Sequence, residues 1–81
     1  MSENDAQLRT AIQKLLRDFR NGAGLRQSDV AELLGQPQSV VSKYETGERR
    51  VEITELIALC ECFGITPQEF FTALDAELSE T

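Results

Sequence analysis

Four polar side chains stand close together in the middle of the chain, and each can form hydrogen bonds to an external ligand. They are Gln38, Ser39, Ser42 and Lys43. On a helix, spacings of one, three and four residues place all four on one side of its N-terminal half. Gln can bind adenine through two hydrogen bonds, Ser can bind either base type, and Lys can bind guanine O6 and N7. The set therefore suits the reading of base edges, although an ordinary solvated helix face has the same composition.

The neighbouring residues predict the elements that would position this polar face. Residues 27–34 form a short amphipathic segment, and Gly35 after it suits the left-handed backbone that ends a helix. Pro37 is expected in the first turn of a second helix, over about residues 37–45, because the missing N–H costs nothing there. Two short helices joined by such a turn form a helix-turn-helix unit, here about residues 27–46, whose second helix enters the major groove of DNA.

Apolar residues recur at helical spacing in the rest of the chain, and no segment alternates as a strand would. A first helix is expected around residues 8–19 and a fourth over 53–63. A fifth begins in the segment 66–69, where the residues TPQE match a capping box with proline at the first helical position. The predicted fold is all-α, a compact bundle of five helices in a single domain over residues 1–81.

The charge of the chain is distributed unevenly. The net charge is −6, yet residues 1–50 hold all eight Lys and Arg against seven acidic residues, whereas residues 51–81 hold seven acidic residues and no base. A basic or neutral half that faces nucleic acid and an acidic half that faces solvent would produce this split. An acidic, solvated C-terminal part with no bearing on partners would also produce it.

Several classes of function are excluded by what the chain lacks. It has no histidine, no nucleophile beside a base and no glycine-rich phosphate loop, so no enzyme, metal site or cofactor is expected. Cys60 and Cys62 would point about 200° apart on a helix, which prevents a mutual disulfide and favours buried structural thiols. There is no apolar run of 18 residues, and the N-terminus has no charged segment followed by an apolar one. We therefore expect a cytoplasmic protein without membrane contact.

The segment GLRQSDVAELLG followed by QSVVSKYETGERR resembles the Cro and phage-repressor (XRE-type) family of helix-turn-helix transcriptional regulators. The resemblance covers about residues 8–74. It implies a lambda-repressor-like bundle of five helices, with the helix over about 37–45 as the recognition helix. It also implies that Gln27 binds a DNA phosphate. Arg20 and Glu45 match a partly buried pair that holds the recognition helix against the first helix in this family.

Three arginines are further candidates for contacts to the DNA backbone. Arg49 and Arg50 directly follow the recognition helix, and their guanidinium groups suit phosphate oxygens or a narrow minor groove, although a solvated turn is the alternative. Arg26 stands where many relatives have a Ser, Thr or Asn helix cap, and it has no oxygen acceptor with which to cap. It is expected either to reach a phosphate or to lie in solvent.

The fifth helix carries more apolar residues than one small core is expected to absorb. Phe71, Leu74 and Leu78 follow the i, i+3, i+7 spacing of a helix–helix seam, while Phe70 is rotated towards the core. We therefore expect a homodimer that uses Phe71, Leu74 and Leu78. The alternative is a wide core stripe on a monomer.

Together these features predict a sequence-specific transcriptional regulator, a repressor or autoregulator, that binds a double-stranded DNA operator. Two alternatives remain at this stage because fold alone does not fix function. One is an antitoxin or restriction-system controller that has an added protein partner. The other is a protein-interaction module that has lost DNA binding.

Overall fold

The apolar periodicity of the chain corresponds to five α-helices in the computed structural model, which describes residues 3–80. The helices are α1 (Glu3–Gly22), α2 (Gln27–Leu34), α3 (Gln38–Thr46), α4 (Ile53–Phe63) and α5 (Pro67–Ser79). No strand occurs within the described residues. The all-α, five-helix prediction is therefore confirmed.

The turn between α2 and α3 is built as the sequence predicts, with one difference. Gly35 adopts the left-handed conformation, with φ 67° and ψ 33°, and the N–H of Gln36 donates to the carbonyl of Ala31 at 3.0 Å. Pro37 is not in the first turn of α3 but caps it, with φ −62° and ψ 149°. The proline ring fixes only φ, and this value of φ fits both the cap position and the first helical position. The tight turn requires an extended ψ, and this ψ places Pro37 just outside the helix.

The core is formed by side chains from all five helices. Its buried apolar members are Ala11, Leu15, Leu16, Val30, Ala31, Val41, Tyr44, Leu56, Leu59, Cys60, Phe63, Phe70 and Leu74. The α1 helix packs against α3, α4 and α5, and α2 packs against α3 and α4. Each fully buried large apolar side chain contributes about 1.5–3 kcal/mol, so Val41 and Tyr44 anchor the inner side of α3 in this core.

The α5 helix divides its apolar residues between the core and the surface. Phe70 is fully buried, and its ring centroid lies 5.8 Å from that of Phe19 on α1. Phe71 is 46% exposed, and Leu78 is half-buried. Leu74, which was expected in a dimer seam, is only 8% exposed and packs in the core of the monomer. It does so because it follows Phe70 by four residues and therefore shares the face of that residue.

The two cysteines are free thiols on α4. Cys60 is fully buried in the core, and Cys62 is half-buried. Burial raises the pKa of both thiols above the ordinary value. Cys60 is thus a buried structural thiol as expected, whereas Cys62 only packs against the edge of the core.

Within residues 3–80, no helix combines the length and the apolar character that crossing a bilayer requires. The same part of the chain contains no cluster of His, Cys, Asp and Glu side chains that is large enough to hold a metal ion.

Candidate nucleic-acid interface

The outer side of α3 presents the four polar residues that the sequence singles out. Gln38, Ser39 and Lys43 are exposed and Ser42 is half-buried, while the opposite side of the helix is buried. None of the four side chains forms a hydrogen bond with another residue of the described part of the chain. Their donors and acceptors are therefore available to an external ligand.

An ion pair between Arg20 and Glu45 fastens this helix to α1. The Arg20 guanidinium donates from Nε to Glu45 Oε2 at 2.6 Å and from Nη2 to Glu45 Oε1 at 3.0 Å. It also donates from Nη1 to the carbonyl of Leu25 at 2.9 Å. The side chains are 12% and 6% exposed, and the hydrogen bonds to Glu45 raise the pKa of Arg20. A bidentate pair at this depth fixes the orientation of α3 relative to α1.

Gln27, the first residue of α2, belongs to the same network. Its Nε2 donates to Glu45 Oε1 at 3.1 Å, so that the single Glu45 carboxylate joins α1, α2 and α3. This bond was not predicted from the sequence, because it depends on how α2 and α3 cross. An amide nitrogen has two N–H groups, and the second one of Gln27 can still donate to a phosphate.

Arg26 pairs with Asp29 while its side chain stays 82% exposed. The Asp29 carboxylate accepts the backbone N–H of Arg26 at 2.8 Å and its Nε at 3.3 Å. These bonds, the backbone one first, hold the pKa of Asp29 below its ordinary value. Arg26 therefore caps α2 only through its own backbone N–H, and its guanidinium lies at the surface beside an acidic partner. Asp29 at the third helical position was the signal for this arrangement.

Arg49 lies in the turn after α3, in a network that the sequence did not predict. Its guanidinium carbon lies 5.6 Å from the centroid of the Tyr44 ring, a cation–π arrangement, and its Nη2 lies 3.5 Å from Glu55 Oε2. The Tyr44 hydroxyl donates to the same carboxylate oxygen at 2.5 Å, and the backbone N–H of Glu52 donates to Glu55 Oε1 at 2.9 Å. The Tyr44 hydrogen bond is the main cause that lowers the pKa of Glu55.

The turn that carries Arg49 and Arg50 packs directly on α1. Gly47 ends α3 with φ 84°, and a Cβ at this position would collide with the side-chain amide of Gln13. The left-handed conformation therefore favours glycine here, whereas the end of the flexible Gln13 side chain could move aside. Arg50 is exposed and lines a shallow groove together with Arg49 and with Arg9 of α1. Arg49 and Arg50 therefore lie at the C-terminal end of the polar face of α3. Arg26 and Gln27 lie at the start of α2, the helix against which α3 packs.

Comparisons with known proteins place this geometry in a family. The sequence model of the helix-turn-helix family, described as Helix-turn-helix, matches residues 16–70. An XRE-family like protein from Pseudomonas syringae pv. tomato str. DC3000 is 37% identical, covers 90% of this chain and 88% of its own, and superposes with a TM-score of 0.81.

A second solved structure, the restriction-modification controller protein C.Esp1396I, has a TM-score of 0.86 over 100% of both chains. Its identity is 20%, so it shows a shared fold. No curated protein matches the chain. The family model spans more than half of the chain, and the Pseudomonas syringae protein is similar over nearly all of it. The resemblance seen in the sequence is confirmed, and the chain belongs to the XRE family of helix-turn-helix proteins.

Proposed function

We propose that this protein is a transcriptional regulator that binds double-stranded DNA sequence-specifically and reads the major groove with α3. The observation that carries the proposal is the outer face of α3. Four polar side chains that make no bonds within the described chain lie on a helix whose other side is buried and whose axis is fixed by the Arg20–Glu45 pair. A helix held in this way can enter the major groove without reorganisation.

In this proposal, base readout and backbone contact are assigned to different residues. Gln38, Ser39, Ser42 and Lys43 read base edges, where a good bidentate contact discriminates by about 1–3 kcal/mol. The backbone contacts come from residues on both sides of α3, namely Gln27, Arg26, Arg49 and Arg50. Contacts to phosphates fix the register of α3 in the groove but carry no sequence information themselves.

The protein binds as a homodimer in this proposal, with α5 in the contact. Phe71 is a large apolar side chain at the surface of α5, and half-buried Leu78 lies in the same shallow depression as Asp75. Two α3 helices related by a two-fold axis can read half-sites about 34 Å apart, one turn of DNA. Leu74 lies in the core beneath this surface and is therefore not assigned to the contact itself.

The regulatory outcome proposed is repression or autoregulation, because a dimer that occupies an operator in the cytoplasm competes with the transcription machinery for the same DNA. The intact polar face of α3 argues against an interaction module that has lost DNA binding. An antitoxin or a restriction-system controller would use the same DNA contacts and add a protein partner.

Selection of bound duplexes from a random DNA pool tests the proposal directly. We expect the wild-type protein to enrich a two-fold-symmetric motif whose half-sites are about one helical turn apart. The double variant Gln38→Ala/Lys43→Ala should fold and enrich no motif, whereas Gln7→Ala on the exposed side of α1 should enrich the wild-type motif. A folded wild-type protein that enriches no sequence would overturn the proposed function.

A further inference from the structure

Two of the arginines proposed to contact the DNA backbone are already paired with a carboxylate inside the protein. Arg26 pairs with Asp29, and Arg49 pairs with Glu55. The two sites share one design. In each, the acidic residue is the third residue of a helix, α2 or α4, and its carboxylate accepts both the backbone N–H of the cap residue and a guanidinium N–H.

The carboxylates are held more firmly than the arginines that they contact. Asp29 accepts the Arg26 backbone N–H at 2.8 Å, against 3.3 Å and 3.4 Å for the guanidinium. Glu55 accepts the Tyr44 hydroxyl at 2.5 Å and the Glu52 N–H at 2.9 Å, against 3.5 Å for Arg49. Each negative charge therefore stays in place when the flexible arginine moves towards another anion.

A phosphate that approaches Arg26 or Arg49 meets a guanidinium whose charge is already balanced by a fixed carboxylate. Such an arginine attracts the phosphate less, and its binding releases fewer counterions than an unpaired arginine would. This reduction in affinity is independent of DNA sequence, because it concerns only contacts to the DNA backbone.

We propose that Asp29 and Glu55 limit the affinity of this protein for the DNA backbone by balancing the charges of Arg26 and Arg49. The inference rests on the proposed DNA binding, and it assigns a role to two residues that contact no base. Weak backbone attraction keeps non-specific binding low, so that the contacts of α3 supply a larger share of the binding free energy at an operator.

Isosteric substitutions can remove each charge and leave the helix cap intact. In Asp29→Asn and Glu55→Gln, the amide oxygen can still accept the N–H of the cap residue. In Glu55→Gln the amide N–H then faces Tyr44, whose hydroxyl can accept it. Glu32→Gln on α2 and Glu48→Gln beside Arg49 are matched controls, since both glutamates are exposed and neither has an ion pair with Arg26 or Arg49.

The measurement is the dissociation constant for a duplex of random sequence over a salt series, together with thermal melting of each variant. We expect Asp29→Asn and Glu55→Gln each to bind about two- to fivefold more tightly at low salt, the range that a partly exposed ion pair supports. The slope of log K against log salt should steepen by up to ~0.9 for each released arginine. In the background of Arg49→Ala, the effect of Glu55→Gln should disappear.

Three results would overturn the inference. One is unchanged or weaker binding by both variants with unchanged melting, which would make the carboxylates positioning groups for the arginines. Another is an equal gain in Glu32→Gln or Glu48→Gln, which would reduce the effect to net charge. The third is a gain that persists without Arg49. If the folded wild-type protein and all variants bind no duplex even at low salt, the proposed function itself fails, and the inference fails with it.

Discussion

Gln38 and Lys43 differ in the base that each can recognise, and this difference makes the α3 face testable at the scale of single residues. We expect Gln38→Ala and Lys43→Ala each to lose about 1–3 kcal/mol of binding free energy at the best site and to relax preference at different base positions. Competition binding against a library of single base-pair changes measures both effects. Gln7→Ala is the control, and an unchanged base preference in both α3 variants would refute the readout assignment.

Arg49 and Arg50 should affect binding in a different way from the α3 residues. Replacement of either by Ala is expected to weaken binding to all duplexes by a similar factor, because a phosphate contact is independent of sequence. The salt dependence should become flatter by up to ~0.9 for each lost contact. Titrations of the operator and of a scrambled duplex at several salt concentrations provide the test, and a loss confined to the operator would instead indicate a base contact.

The polar residues of α3 could be predicted from the sequence, but their supporting contacts could not. The i, i+1, i+4 positions of Gln38, Ser39 and Ser42 depend only on helix geometry. By contrast, the bonds of Gln27 to Glu45 and of Tyr44 to Glu55 join residues 18 and 11 positions apart. Such contacts depend on the packing of several helices. From the sequence, Tyr44 was predicted only as an apolar residue on the inner side of α3.

At the scale of elements, the Arg20–Glu45 pair determines how α3 sits on α1. Glu45→Ala leaves the Arg20 guanidinium without its carboxylate in a nearly closed site and removes the acceptor of Gln27. We expect a loss of about 2–4 kcal/mol in the free energy of unfolding, measured by denaturant titration.

The Lys14–Asp18 pair on α1 is a matched control for this substitution, because both side chains are about half exposed. Asp18→Ala should cost less than about 0.5 kcal/mol. DNA binding by Glu45→Ala should fall as a consequence, because the Arg20–Glu45 pair no longer holds α3 in place. Equal stability of Glu45→Ala and the wild type would mean that α3 is positioned by the apolar core alone.

The starts of α2 and α4 should make stability depend on pH in the acid range. Hydrogen bonds lower the pKa of Asp29 and of Glu55 in the folded state, from ordinary values of 3.8 and 4.5. A depressed folded pKa gives stability that is fully present above the unfolded value and is lost as pH falls through the folded value. Unfolding measured from pH 7 to pH 3 should therefore show a decline that begins near pH 4.5.

The variants Asp29→Asn and Glu55→Gln should each flatten this decline, because the substituted amide does not titrate. Glu48→Gln serves as the control, since the Glu48 side chain is exposed. A decline of the same size in the double variant would assign the acid sensitivity to other carboxylates.

The helices themselves could be predicted closely because glycine and proline mark their ends. Gly35 and Gly64 follow the last residues of α2 and α4, and Pro67 starts α5 as predicted. Pro37 was misplaced by one residue, since a fixed φ of −62° suits both the cap and the first turn.

At the scale of the whole molecule, the five-helix bundle followed from periodicity, whereas the surface of α5 did not. The spacing of Phe71, Leu74 and Leu78 is equally compatible with a seam and with a core stripe. The tertiary structure places Leu74 in the core and Phe71 at the surface, because α1 and α4 cover only one side of α5. Sequence alone has no information on which side a neighbouring helix covers.

Exposed Phe71 makes the proposed dimer the prediction that concerns the whole molecule. A large aromatic side chain contributes strongly to an interface when it becomes buried. Asp75 is also exposed and lines the same surface depression as Phe71, so we expect its charge to lie at the rim of the contact. We expect the wild-type protein to sediment at tens of micromolar with twice the chain mass of 9.0 kDa, and Phe71→Glu to sediment as a monomer.

The control must be a substitution of the same kind at an exposed apolar residue away from α5. Leu33 on α2 is 62% exposed, so Leu33→Glu adds the same charge and should leave the dimer intact. Leu74→Glu is unsuitable, because a charge in the core would unfold the monomer as well. Phe71→Glu should still fold but melt below the wild type, because it loses the stability that dimerisation adds. It should bind a full operator without cooperativity, since each α3 then reads its half-site independently. Sedimentation of the wild type as a monomer at every concentration, or of Phe71→Glu as a dimer, would exclude this surface of α5 as the contact.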